Sequence, residues 1–422
     1  METDNSSPPA PEPSRFEIWR LHHYRWFLLS LATAALASQV QEAALAYQLY
    51  ALTHDPLSLG VLGLAEALPF IACALPAGHL ADMRDSRRIG TVALVMLMLS
   101  AAALWLLSRL QAGLTVHTVQ GLAYGIIAVT GICRSFLQPV RSVLISVIVP
   151  RPLLPAAVSW RSGLWQLTAV TGPALGGGLY AALGAPSTHA VATALFLGAL
   201  FGWLWMSSTL APPSAPAGGA PMFSSLVEGF RFLRREPIIL PAIALDLFAV
   251  LFGGAVALLP VFAEDILRVG PRGFGFLRAA PALGAVGMSL VLMWRQPFRR
   301  AGATMLTAVA LFGVCMIAFA LSRSFVLSLM ILAVSGAVDM ISVVIRGTLM
   351  QMRVPPSMLG RVSAFNQIFV GSSNEIGAFE SGLAARLLGT VPSVVFGGVM
   401  TLLVVTAAAW RAPALRRLEK LR

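Results

Sequence analysis

Residues 78–88 read Gly78-His79-Leu80-Ala81-Asp82-Met83-Arg84-Asp85-Ser86-Arg87-Arg88, two acids and three arginines in one short cluster. The chain around it is 57% hydrophobic and only 11% charged, with a mean hydropathy of +0.79. A soluble domain carries about 25% charged residues, so the cluster is a polar break between apolar runs. Each flanking run is long enough to cross a hydrocarbon core ~30 Å thick. The cluster therefore reads as a tight loop between two membrane helices.

Outward from this loop the pattern repeats along all 422 residues. Apolar runs predict roughly twelve spans, near 26–50, 57–81, 89–108, 115–138, 156–180, 188–208, 237–262, 273–294, 302–321, 325–348, 361–385 and 391–410. Backbone groups in lipid are satisfied only in helices or closed barrels, and runs this continuous are helices rather than alternating strands. The formal net charge of +12 follows the loops. Of 30 Lys and Arg, 21 fall in the amino-terminal segment, the carboxyl tail and alternate loops on one side; five (Arg109, Arg268, Arg272, Arg323, Arg386) fall on the other, and four lie within spans or at their edges. Cytoplasmic loops collect basic residues, so both termini are expected in the cytoplasm and no nucleic-acid partner is implied.

Residues 1–22 are expected to be a disordered cytoplasmic segment, polar and Pro-rich without a cleavable signal pattern. Cys73, Cys133 and Cys315 are isolated within spans and read as packing residues. No metal-ligand spacing, H-E-x-x-H, G-x-S-x-G or P-loop lysine occurs, and Lys420 is the chain's single lysine; neither an enzyme nor a cofactor or metal protein is expected.

The stretch Ala211-Pro212-Pro213-Ser214-Ala215-Pro216-Ala217-Gly218-Gly219-Ala220-Pro221 has linker composition. After it, Phe223, Leu226, Val227, Phe230 and Leu233 fall on one helical face, and the basic residues beside them suit a helix on an anionic membrane surface. The expected organisation is a six-helix bundle over 23–208, a linker with an amphipathic helix over 209–236, a second six-helix bundle over 237–410, and a basic tail over 411–422. The halves align with a shift of 205: Arg141 and Val149-Pro150 map onto Arg346 and Val354-Pro355, Gly131 onto Gly336, Gly172 onto Gly377 and Gly177 onto Gly382. Under the same shift Pro76-Ala77-Gly78 falls on Pro281-Ala282-Leu283, Gln41 on Asp246 and Arg134 on Asp339. Internal repeats of this kind place a transporter's substrate site between the halves.

The spacing G-x-L-x-D-x-R-x-x-R-R, carried by Gly78, Asp82, Arg84, Arg87 and Arg88, resembles the signature loop of the major facilitator superfamily. The resemblance implies an all-α membrane protein with twelve helices in two pseudo-symmetric bundles, and a latch at this loop between two access states. Gly172-Pro173-Ala174-Leu175-Gly176-Gly177 resembles the superfamily's antiporter motif, with Ser159 and Thr168 where the pattern has further glycines. Leu114-Thr115-Val116-His117-Thr118-Val119-Gln120-Gly121 is similar to its L-x-x-R-x-x-Q-G motif, with His117 in place of arginine. Gln138-Pro139-Val140-Arg141, Leu277 to Gly284 and Ser373 to Gly382 resemble the bacterial branch of enterobactin and macrolide exporters.

A charge at mid-membrane costs about 2.5–3.5 kcal/mol on insertion scales, so it marks function by default. Glu42, Glu66, Asp246, Asp339, Glu375 and Glu380 lie within expected spans. Where the family's first, fourth, seventh and tenth helices line the cavity, the resemblance places Gln39, Gln41, Glu42, Arg134, Asp246, Asp339 and Arg346 there. Arg134 is expected to meet either Asp339 across the halves, on the cytoplasmic side when that side is closed, or Asp82 within its own half. Asp246, then Glu42, are the first choices for carrying a proton, with His117 and Glu375 as further candidates; arginines such as Arg161 or Arg278 are alternative structural partners for these acids. The resulting expectation is a monomeric exporter of the bacterial inner membrane. It would move a hydrophobic or amphipathic small molecule, drug-like or a siderophore, by proton antiport. The alternatives are an importer or facilitator, a membrane enzyme, or a non-transporting scaffold.

Overall fold

The protein, as a computed structural model, is described over residues 16–208, 222–294 and 298–419. The Pro-rich stretch 211–221, Arg295, Lys420 and most of the expected disordered segment lie outside these residues. Helices account for nearly all of the described chain, and it contains no strand. In order they are α1 (His22–Thr53), α2 (Pro56–Met83), α3 (Ser86–Leu110), α4 (Val116–Ile148), α5 (154–183) and α6 (185–208). Helix α7 (Met222–Arg235) follows, then α8 (Ile239–Ile266), α9 (Gly270–Trp294), α10 (Ala301–Leu321), α11 (Phe325–Arg353), α12 (Pro356–Leu388) and α13 (Thr390–Arg411).

Nine stretches of the described residues are long and apolar enough to span a membrane, one of them covering both α5 and α6. Helices α1 and α12, of 32 and 33 residues, are long enough but too polar to qualify. They hold Gln39, Gln41, Glu42 and Gln48, and Asn374, Glu375 and Glu380, which is where function would oppose hydrophobicity. Twelve crossings are consistent with this count.

Short capped turns separate the spans. Asp55 accepts from the Leu57 amide at 3.0 Å with Pro56 at the first helical position, and Asp85 accepts from the Arg87 amide at 3.0 Å. Both satisfy amides that a helix start leaves unpaired. The up-and-down path puts the 84–85, 149–153 and 298–300 turns on the face where α1 begins, the near face. The 54–55, 111–115, 267–269 and 322–324 turns lie on the far face.

Four residues with positive φ expose the repeat in the backbone. Gly184 (φ 76°) and Gly389 (φ 92°) end the fifth and eleventh crossings, 205 residues apart, in a conformation that a Cβ disfavours. His54 (φ 48°) and Arg268 (φ 54°) end the first and seventh crossings, but they differ by 214. Helix starts agree with the larger offset: Pro56 and Gly270 differ by 214, Ser86 and Ala301 by 215. The single shift of 205 thus holds only for the later helices of each half. Asp246 is therefore not the counterpart of Gln41, and Pro281 is not that of Pro76: Gly131 packs on Glu66 where its mate Gly336 packs on Pro281. The second copy is shorter across its third and fourth crossings, 21 and 29 residues against 25 and 33, and an ungapped alignment cannot register that.

Packing divides by face. A large cluster joins Ile18, Tyr24, Leu144, Leu153, Trp203 and Met206, all from the first half and largely near its near end. Ile18 is fully buried, so the packed structure begins before residue 22. Ile238, Ala301, Leu349 and Leu415 form a second-half cluster at the same level. The cluster that mixes the halves contains Tyr47, Tyr50 and Leu59 with Leu258, Phe262, Phe274 and Phe319, at the far ends of their helices. Buried apolar contacts between the halves therefore concentrate at the far face. Helix α7 packs on α12: Leu233 is buried with Met350, Val354 and Val362, and Phe230 stacks on Phe365 at 5.4 Å. These two residues of the amphipathic face meet protein rather than headgroups, while Arg231, Arg234 and Arg235 stay exposed.

Candidate functional site

Between the halves, just below the far-face contacts, charged side chains from five helices converge. Glu42 of α1 accepts from Arg134 of α4 at 3.1 Å and from Arg278 of α9 at 3.1 Å. Arg134 also pairs with Glu66 of α2. Glu375 of α12 reaches across to α2, where its Oε2 lies 3.1 Å from the place a Cβ on Gly63 would occupy. These groups are partly accessible, with side-chain exposures of 37% for Arg134, 26% for Glu42 and 21% for Arg278. They form a layer shared by the two halves, a roof lying just beneath the far-face contacts. Each charge has a partner of opposite sign at hydrogen-bonding distance except Glu375, which makes no ion pair among the described residues. Isolated ions at this depth would be costly, and reciprocal pairing is what allows several to coexist.

Above the roof the far face is sealed. The Tyr47 hydroxyl donates to Glu264, the Tyr50 hydroxyl donates to Asp265, and Arg386 pairs with Asp55 at 3.3 Å. Each contact joins one half to the other. Glycines allow the backbones to meet here. A Cβ on Gly177 would fall 2.5 Å from the Pro271 carbonyl and 2.7 Å from Gly275 Cα; one on Gly382 would fall 3.0 Å from Gly60 Cα. Gly172 and Gly176 pack on α1 at Gln39 and Val40. The antiporter-like segment is thus the seam where α5 touches both α1 and α9, a contact only small residues permit.

A second cluster lies wholly in the second half. Arg346 of α11 pairs with Asp246 of α8, both buried at 7% and 4% exposure. Asp339 sits seven residues from Arg346 on the same face of α11, with no ion pair among the described residues. Asp246, the first choice for a proton carrier, is already neutralised by Arg346. Arg134 bonds Glu42 and Glu66, and Asp339 lies in the separate second-half cluster; the cross-half pairing was expected for the state closed on the cytoplasmic side. The Asp82 side chain, the rival partner, lies outside the described residues.

The signature loop holds itself together through Asp85. Its carboxylate accepts from the Arg87 amide, from Arg87 Nε and Nη2 at 3.2 Å, and faces Arg88 at 3.8 Å. Burial pushes its pKa up, but these donors outweigh burial and hold it below the usual aspartate range. Gly78 is buried on α2, and the Trp203 indole donates to the Arg87 carbonyl at 3.2 Å, fastening the loop to α6. His117 is exposed in the first turn of α4, about 25 Å along the helix from Arg134 at ~1.5 Å per residue. Gln41 is buried with its Oε1 unpartnered.

Residues 14–421 match the family described as transmembrane secretion effectors. The chain belongs to this family of major facilitator transporters. The multidrug efflux pump Tap of Mycolicibacterium fortuitum is 24% identical over 404 residues, covering 93% of this chain and 96% of Tap. The enterobactin exporter EntS of Escherichia coli O1:K1 / APEC is 28% identical over 239 residues, 57% of this chain and 56% of EntS. Among solved structures, a peptide transporter POT in complex with sulfate superposes with a TM-score of 0.73 at 14% identity, covering 97% of this chain and all of that one. A bacterial homologue of the human lysosomal transporter Spinster, in an inward-facing and unoccupied conformation, gives 0.66 at 15%, covering 95% and 98%. At these identities the structures show the fold alone.

In this secretion-effector transporter, Tyr47, Tyr50, Glu264, Asp265, Asp55 and Arg386 carry contacts that sequence reading did not place, whereas Arg278 meets Glu42, one of the acids for which it stood as an alternative structural partner. Arg278 and Glu66 had a usable signal, a charge inside an apolar run. The tyrosines had none, because their role depends on which residues of the other half face them.

Proposed function

We propose that this transporter exports a hydrophobic or amphipathic small molecule by proton antiport, as a monomer in the bacterial inner membrane with both termini, and hence the near face, in the cytoplasm. Two six-helix bundles, 23–208 and 237–410, would rock about the roof to expose it alternately. The observation that supports this best is the roof itself, a set of mutually paired charges shared between the halves beneath a sealed far face. Such a set can rearrange when the halves part, and its accessible carboxylates can hold protons. Similarity to Tap and EntS supports export of a drug-like compound or a siderophore.

The test uses purified protein in liposomes with an imposed proton gradient, loaded with ethidium in one series and iron-free enterobactin in another. Uphill movement of either, abolished by a protonophore, is the expected result. Movement that only equilibrates the compound, indifferent to the protonophore, would favour a facilitator and overturn antiport.

A further inference from the structure

The roof contains one more carboxylate than guanidinium, and Arg278 decides which carboxylate is left over. Glu42, Glu66 and Arg134 belong to the first half; Arg278 and Glu375 belong to the second. While the far face is sealed, Arg278 reaches across to Glu42 at 3.1 Å, Arg134 spans Glu42 and Glu66, and Glu375 remains without an ion pair. The charges that act on Glu375 are Glu66, Glu42, Arg134 and Arg278. Those acting on Asp339 are Asp246 and Arg346, so the second-half cluster is separate. Arg141, two turns along α4 from Arg134, has Arg134 and Arg161 as its charged neighbours.

Opening the far face must pull Arg278 away from Glu42, because α9 and α1 lie in different halves. It must also pull Glu375 off α2. The second half then keeps Arg278 and Glu375, a neutral set. The first half keeps Arg134 with two carboxylates, one in excess.

We propose that Arg278 is a coupling switch that exchanges Glu42 for Glu375 as the halves move, so that the surplus carboxylate changes sides: a first-half carboxylate takes up one proton while the far face is open and gives it up when the far face seals. With the far face open, a proton from that side binds Glu42 or Glu66. On resealing, Arg278 returns to Glu42 and the proton leaves that carboxylate for water on the near side, and Glu375 is left as the ionised surplus acid. One proton enters from the far side and one is released on the near side, with no other bond made or broken. This inference rests on the antiport reading and names the groups that perform it.

The switch separates two substitutions that a merely structural network would not. In Glu42→Gln both states are balanced without a proton, so the protein should still change access but without coupling. In Glu375→Gln the sealed state is balanced, whereas opening strands Arg278 alone, so the protein should stay sealed at the far face. Glu66→Gln should behave as Glu42→Gln, and replaces it if that variant does not fold. Spin labels on Gly113→Cys and Arg323→Cys in far-face loops, with Cys73, Cys133 and Cys315 changed to Ala, report the far-side distance by double electron–electron resonance between pH 5 and 8. Glu42→Gln is expected to populate short and long distances equally well at every pH and to equilibrate ethidium while losing at least tenfold of its uphill transport. Glu375→Gln is expected to show the short distance alone and neither mode of transport. The proposal is overturned if the two variants share one distance distribution and one transport phenotype, or if Glu375→Gln opens as readily as the parent. If the parent moves neither ethidium nor enterobactin, the transport reading fails for those compounds, and the distances still decide the switch.

Discussion

Gly177→Ala tests the far-face seam directly. The added methyl would lie 2.5 Å from the Pro271 carbonyl oxygen, 2.7 Å from Gly275 Cα and 2.8 Å from Gly275 N, all backbone atoms that no rotamer change can move. Ordinary contact begins at 3.4 Å, so the seam must open by about 0.9 Å, the difference from 2.5 Å. Overpacking of this kind costs about 1–3 kcal/mol. The contact joins the two halves and exists only while the far face is sealed, so the cost falls on that state alone. At about 1.4 kcal/mol per tenfold, the sealed population should fall by about 5- to 150-fold relative to the far-open one. The adjacent Gly178 is the control, because a Cβ there meets nothing within 4 Å. The spin-label pair at Gly113 and Arg323 is the assay: Gly177→Ala should shift weight to the long distance and Gly178→Ala should not. Gly275→Ala should reproduce the shift, and the double variant should add little, since one parting relieves both methyls. Equal distance distributions for Gly177→Ala and Gly178→Ala would refute the seam.

Removing Arg346 should destabilise the protein severely, by about 3–5 kcal/mol, because Asp246 would be left as a buried unpaired charge; Arg346→Gln should lower the melting temperature in detergent and Asp246→Asn with Arg346→Gln should restore most of it. Arg386→Ala at the exposed pair with Asp55 (56% and 35% exposed) should cost about 0–1 kcal/mol, with a small far-face opening that added salt reproduces in the parent. Asp85→Asn keeps the capping oxygen but loses the charge facing Arg87 and Arg88, and should cost about 0.2–1 kcal/mol, read as a shift in thermal unfolding. Since Asp85 has a depressed pKa, its contribution is complete above the unfolded aspartate value of ~3.9 and is lost as pH falls through the lower folded value. Parent and variant should therefore differ constantly from pH 5 to 8 and converge only in stronger acid.

Membrane residence, the crossing count to within what the described residues support, and the small-residue character of the α5 seam were all legible in the order of residues. The bilayer imposes a local rule, about 20 apolar residues per helical crossing, and a local rule can be read locally. Charged positions inside spans were equally legible, because each breaks that rule: Glu42, Glu66, Arg134, Asp246, Arg278, Asp339, Arg346 and Glu375 all stand out in the chain. Most of their partners were not; the Arg278–Glu42 pair stood only as one alternative among several. Arg134 had Asp339 and Asp82 as sequence-level choices, and the fold gave it Glu42 and Glu66, 92 and 68 residues away. The repeat offset failed in the same manner, since 205 is correct at Gly184 and Gly389 but 214 at His54 and Arg268. A helix fixes which side chains share its face, but rotation and sliding against its neighbours are set by packing that sums contacts from many helices at once. Opposite charges find each other through space, and distance along the chain carries no information about that.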